Sequence, residues 1–115
     1  MNSNNHITVD QIKNDAEVIK KELVEWRHYL HAHPALSFKE ERTTHYIVNK
    51  LKNFGYTDIQ IGFGPLKTGV MVEIGSGRPC VMLRADIDAL PIQEQTGVEF
   101  CSQSKGVSHA CGHDA

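Results

Sequence analysis

The chain has 115 residues, 40% of them hydrophobic and 23% charged, with a formal net charge of −2. That is one domain's worth of an ordinary globular protein, and without a run of Lys or Arg it carries no electrostatic footprint for nucleic acid or for an anionic membrane. The first ten residues lack a signal-peptide core, no later run could span a bilayer, and three cysteines without framework spacing suit a reducing compartment, with the cytoplasm as default.

Residues 1–9 read as a disordered lead, with Thr8 or Asp10 as the cap of a helix running to about His31. Ile12, Ala16, Ile19, Leu23, Trp26 and Leu30 recur in steps of four and three. That is one stripe of a helix, expected to face inward. His28, His31 and His33 cluster at its end. Two of them share a helical face and could be pictured on a metal, but histidines in a last turn also suit the negative end of the helix dipole. Pro34 then stops the helix.

Ser37-Phe38-Lys39-Glu40 has the form of a capping box opening a second helix. Ile47, Val48, Leu51 and Phe54 form its stripe, and Gly55 sits where a left-handed C-terminal residue belongs. Short apolar runs follow: a strand over Asp58 to Ile61, a loop at Gly62-Phe63-Gly64-Pro65, a second strand from Gly69 to Ile74 and a third from Cys80 to Ala85. The Gly- and Pro-rich link between the second and third predicts a hairpin of those two, buried on both faces. Two helices followed by sheet strands define an α/β layered fold.

At the third strand's exit stand Arg84, Asp86 and Asp88. Spaced two apart, the carboxylates point the same way in an extended segment. They read equally as an Asp turn with an Arg partner or as site carboxylates at the edge where open α/β sheets hold ligands. Gln93 to Val107 is a polar loop with a turn or short strand near Val98 to Cys101. It leads to Ser108-His109-Ala110-Cys111-Gly112-His113-Asp114-Ala115. Cys111 and His113 are a thiol and an imidazole with a flexible glycine between them, and both are good ligands for a zinc-type ion. Asp114 is placed to orient an imidazole as a hydrogen-bond acceptor. The pair alone leaves other readings open. One is a buried thiol beside a satisfied histidine; another is a nucleophilic Cys111 activated by His109 or His113. Such an ion wants about four ligands, or three and a water.

Three blocks then fall into order: Arg27-His-Tyr-Leu-His-Ala-His-Pro34 with Ser37-Phe38, Leu83-Arg-Ala-Asp-Ile-Asp-Ala-Leu-Pro91, and Ser108-His-Ala-Cys-Gly-His-Asp114. Together they resemble the metal-dependent N-acyl-amino-acid amidohydrolases of the zinc-peptidase superfamily, the group of hippurate hydrolase, auxin-conjugate hydrolases and N-acetyldiaminopimelate deacetylase. Ala35 departs from the glutamate usual in the loop after His-Pro. The resemblance implies that residues 10–115 form the N-terminal part of a three-layer catalytic domain whose lid or dimerisation domain is absent here. It implies Cys111 and His113 as ligands of a two-metal site holding Zn2+ or Mn2+, and Asp88 as the catalytic acid near that centre. Asp86 falls where relatives carry a metal-binding histidine. The implied reaction is hydrolysis of the amide bond of a small N-acyl amino acid by a metal-activated water. The other ligands and the general base come from residues beyond 115, so the 115-residue piece is expected to be inactive. Homo-oligomers are compatible with the full-length protein.

Overall fold

Helices α1 (Val9–Ala32) and α2 (Glu41–Asn53) precede strands β1 (Ile59–Ile61) and β2 (Val70–Val72) in a computed structural model that describes residues 6–115. This is the expected α/β order. The first five residues of the expected lead lie outside the described residues, and the helix begins within the last of it, at Val9.

Thr8 caps α1. Its hydroxyl accepts from the Gln11 amide at 3.2 Å, and the Gln11 side chain accepts from the Thr8 amide at 2.9 Å. This reciprocal pair satisfies two N-terminal amides that otherwise lack partners. The expected inward stripe is corrected, however. Ile12, Ile19 and Leu23 are all exposed, as are Val18 and Val24 on the other faces. Periodicity identifies the apolar side of a helix but not whether a surface lies against it. Packing begins only at Trp26, whose ring meets Phe54 edge-on at 5.7 Å, and Tyr29 stacks on Tyr46 at 4.0 Å. These aromatic contacts join the end of α1 to α2.

The capping box at Ser37 does not form. Lys39 donates its amide to the Leu36 carbonyl at 2.9 Å and Phe38 takes φ 66°, so a tight turn occupies the place of the first helical turn. Helix α2 therefore starts at Glu41, with no side-chain cap, and Ser37 is released for another partner. The other end is as expected. Gly55 has φ 92°, and the amides of Gly55 and Tyr56 bond the carbonyls of Lys52 and Leu51. That is a Schellman ending, which needs the left-handed residue that glycine supplies.

Strands β1 and β2 pair antiparallel in the register Ile59–Val72, Gln60–Met71 and Ile61–Val70. The hairpin therefore joins the first two runs and not the second and third. The loop closes because Gly62, at φ 75°, donates its amide to the Gly69 carbonyl at 3.0 Å. Residues 80–85 form no strand, and Val81, Met82 and Leu83 are 82%, 82% and 95% exposed. An apolar run acquires strand structure only beside a neighbour that takes up its amides and carbonyls, and among the described residues none does.

The small core is Ala32, Val48 and Ala89, with Thr44 fully buried beside them. Thr44 Oγ1 accepts the Gly69 amide at 3.0 Å and so pins the hairpin to α2. Two isolated bridges set the rest of the chain: Leu36 with Ala89 in parallel and Leu90 with Ser108 antiparallel. Through them, residues 35–37, 88–90 and 108 run side by side.

Candidate metal centre

This side-by-side arrangement brings the three sequence blocks together. The Ala89 amide donates to the Ala35 carbonyl at 2.8 Å, and Leu90 and Ser108 exchange amide bonds at 3.0 Å each. Asp88 is thereby held between the turn at Ser37 and the loop at His113.

His113 Nδ1 lies 2.9 Å from Asp88 Oδ1 and 3.1 Å from the Asp88 carbonyl oxygen. Both partners are acceptors, so Nδ1 carries the proton and Nε2 remains free to ligate. Ser37 Oγ donates to the second carboxylate oxygen, Oδ2, at 2.7 Å. The result is a chain from Ser37 through Asp88 to His113. The Ser37 hydroxyl first, and His113 after it, hold the Asp88 carboxyl below its ordinary range despite opposition from burial. In return the Asp88 hydrogen bond raises the His113 pKa. A carboxylate behind an imidazole is the usual device for fixing a ligand's ring and strengthening its free nitrogen. Asp88 therefore touches the imidazole rather than standing apart as an independent acid.

Asp86 goes elsewhere. Its Oδ1 pairs with Arg84 at 2.8 Å on the surface. The two aspartates thus part company in their partners: Asp86 pairs with Arg84, and Asp88 with Ser37 and His113. An open cleft of about 400 Å³ runs past Ser37, Thr68, Asp86 and Asp88. A larger one, of about 650 Å³, lies against Tyr29, Arg42, His45 and Tyr46 and includes no residue from the 83–91 or 108–114 blocks.

Cys111 is exposed and its thiol is free. Gly112 between the two donors has φ 81°, and its amide closes a turn onto the His109 carbonyl at 3.1 Å. The nucleophile reading finds no support. Among the described residues Cys111 forms no hydrogen bond to either histidine: both His109 nitrogens lack partners, and the His113 bonds run from Nδ1 to Asp88. Burial lowers the His109 pKa.

An accessible thiol and a free imidazole nitrogen fit a soft-to-borderline divalent ion as part of a donor set. They are not a whole one. Among the described residues no group of three or more His, Cys, Asp or Glu side chains could hold a metal.

Behind the loop lies a network that local sequence patterns do not expose. His31 Nδ1 is 2.7 Å from Asp114 Oδ2, and His31 Nε2 is 2.7 Å from Glu94 Oε1. The side chains are nearly closed to solvent, 1% exposed for Asp114, 6% for Glu94 and 11% for His31. Arg27 Nε approaches Asp114 Oδ2 at 3.5 Å. Burial disfavours a charged His31, but the hydrogen bonds to Glu94 and Asp114 outweigh it and its pKa is raised. Glu94 is likewise opposed by burial, yet Thr96, the Ser102 amide and His31 lower its pKa to about 2. Of the clustered histidines, His28 stacks on Phe100 at 3.7 Å and His33 Nδ1 bonds the Tyr29 carbonyl at 2.7 Å. None of the three joins the Cys111 and His113 donors.

Comparison with known proteins extends this geometry. Residues 82–115, which include Asp88, Cys111 and His113, match the model of Peptidase family M20/M25/M40. An N-acyl-L-amino acid amidohydrolase of Geobacillus stearothermophilus is 44% identical over 94% of this chain and 29% of its own length. The N-acetyl-L-cysteine deacetylase of Bacillus subtilis is 49% identical over 84% of this chain and 23% of its own length. A crystal structure of a Bacillus subtilis protein described as a dinuclear metal binding peptidase from the M20 family superposes with a TM-score of 0.72. It is 44% identical over 85% of this chain and 27% of that protein. The chain thus spans between a fifth and a third of these relatives. In sequence and in fold it resembles a part of the amidohydrolases and peptidases of the M20 family.

Proposed function

We propose that the protein bearing this chain is a metal-dependent amidohydrolase that cleaves the amide bond of small N-acyl amino acids, releasing the amino acid and a carboxylic acid. Residues 10–115 are its N-terminal catalytic segment, and the cytoplasm, where three free thiols persist, is its compartment. The observation that carries the reading is the Ser37–Asp88–His113 chain, which leaves His113 Nε2 free two residues from the exposed Cys111 thiol.

Cys111 and His113 would hold the metal. Zinc or manganese bound there supplies Lewis acidity toward an amide carbonyl and a lowered pKa for water. The chain's own residues supply the setting. Asp88 keeps the proton on His113 Nδ1, and Ser37 fixes the Asp88 carboxylate by donating to its other oxygen. The cleft past Ser37, Thr68 and Asp86 admits a small substrate. With two donors and no group placed as a base among the described residues, the 115-residue chain binds metal weakly and does not turn over on its own.

Cobalt titration tests this. In a C80S/C101S background, Co2+ should produce a thiolate charge-transfer band. Cys111→Ser should abolish that band, and His113→Ala should weaken binding at least tenfold, the lower end of the loss expected even for a supporting group. A band that survives Cys111→Ser, or metal uptake indifferent to both changes, would overturn the assignment.

A further inference from the structure

The buried histidine of α1 has no part in the reaction as described, yet it touches the residue next to a proposed ligand. Both His31 nitrogens face carboxylate oxygens at 2.7 Å. A neutral imidazole can donate from only one nitrogen, so two carboxylate acceptors call for the imidazolium. The groups facing it are Glu94 from the 93–107 loop and Asp114 from the site loop. Arg27, one turn earlier on α1, adds a second cation toward Asp114. His31 sits between two carboxylates in a nearly closed space, and the half-exposed Arg27 adds its charge from the rim, so that the buried charges are paired, the condition under which they are tolerated. The network spans three segments that are distant in sequence: His31 lies 83 residues from Asp114 and 63 from Glu94.

Its position gives it a consequence for the site. Asp114 directly follows His113, and the loop that carries both ligands is held by the Leu90–Ser108 pairing at its start and by the His113–Asp88 bond within it, so that Asp114 supplies the hold at its far end. Cys111 and Gly112 are exposed, and the local amide bonds are two turn contacts, Gly112 to His109 and Ala115 to Gly112, at 3.1 Å each. Asp114 is the loop's buried anchor, and His31 is what the anchor is fastened to. We propose that His31 is a positioning residue for the metal loop, whose imidazolium grips Asp114 against Glu94 and so holds Cys111 and His113 in ligating register.

This rests on the metal reading of Cys111 and His113, and the test separates the two. The probe is Co2+, followed by the thiolate charge-transfer band in the C80S/C101S chain, with amide hydrogen exchange measured without metal. His31→Gln keeps one donor and a similar reach, and His31→Ala removes both donors. Outer partners of metal ligands are generally worth about 10- to 100-fold in affinity. Cobalt affinity should therefore fall about tenfold or more in His31→Ala and less in His31→Gln. Exchange at the Gly112 and Ala115 amides should quicken in the same order while α2 amides keep their protection. Because the effect passes through Asp114, adding His31→Ala to Asp114→Asn should cost little beyond Asp114→Asn alone. His28→Ala, which breaks the stack on Phe100 from the same helix, should leave cobalt affinity unchanged.

If His31→Gln and His31→Ala, folded by circular dichroism, bind cobalt as the parent does, the positioning role is overturned and the metal assignment stands. Full additivity with Asp114→Asn, or an equal loss in His28→Ala, overturns it as well, since the effect would then be general to the helix. Should His31→Ala fail to fold, the His31→Gln exchange pattern decides: unaltered Gly112 and Ala115 amides count against the proposal. A parent that never develops the band removes the metal assignment, and this proposal with it.

Discussion

At the scale of single residues, His31 and Glu94 make stability depend on pH in opposite directions. Glu94 titrates at about 2 in the folded chain, below an unfolded value of about 4.3. Its contribution is complete above that unfolded value and is lost as pH falls toward about 2. The folded pKa of His31 is raised above 6.5, so its contribution is complete below 6.5 and disappears as pH rises through the folded value. Together they favour a stability maximum between about pH 4.3 and 6.5. His109, lowered by burial, acts the other way on the acid side, and His113, raised by Asp88, acts with His31 on the alkaline side. Comparing the parent with His31→Gln cancels both. Urea midpoints measured from acid to alkali should differ most below 6.5 and converge as pH rises through the folded value of His31. A constant difference across the range would mean that His31 is not charged in the fold.

At the scale of elements, the chain's own punctuation decided what could be read in advance. The end of α2 was legible because Gly55 has a local meaning, as was the cap of α1 at Thr8. The ligand pair was visible as Cys111-Gly112-His113, and Asp88 could be placed near it by resemblance. What stayed hidden depended on distant partners. Ser37 has the local form of a helix cap, but the turn at Phe38 delivers its hydroxyl to Asp88, 51 residues away. Glu94 carried no local signal at all, and the pairing of His31 with Asp114 required the fold. The hairpin forms at β1 and β2 rather than across Gly75–Pro79 for a related reason. Gly75–Pro79 looked the stronger turn, while the closure that forms depends on a contact across the loop at Gly62. A Cβ at Gly62 would lie 2.3 Å from the Leu66 carbonyl oxygen, and the residue has φ 75°. At Gly55, with φ 92°, nothing lies within 4 Å of such an atom. Gly62→Ala should thus pay both for the left-handed backbone and for displacing the loop, about 2 kcal/mol or more, against about 1 kcal/mol for Gly55→Ala. Urea unfolding of the two variants checks the order; equal losses would show that the loop yields freely.

At the scale of the whole molecule, the shape is extended. The radius of gyration is 16.9 Å and the principal extents are 59 × 36 × 22 Å. A compact chain of this length would have a radius of about 13 Å. Part of the excess is α1, whose first four turns have no packing partner among the described residues, and none of the helices described is long and apolar enough to cross a membrane. The run from Val81 to Leu83 likewise has no neighbouring strand among the described residues. Its three side chains are open to solvent, and Ile74, before the Gly75–Pro79 link, is exposed as well. A contiguous apolar stretch with unpaired amides and carbonyls is a template for pairing with another chain. The 115-residue chain should accordingly self-associate, with a weight-average mass in sedimentation equilibrium that rises with concentration. Leu83, 95% exposed, has almost no contacts to lose within the chain, so Leu83→Glu should leave the urea midpoint within about 0.5 kcal/mol of the parent. Val81 and Leu83 lie on the same side of an extended segment. The double change Val81→Glu/Leu83→Glu should therefore set like charges across any pairing of two such runs and return the mass to that of a monomer. Association that persists in this variant but vanishes with Ile12→Lys/Ile19→Lys would shift the sticky surface to the apolar stripe of α1. That result would mean that the 81–83 run, though exposed, does not seek a partner strand.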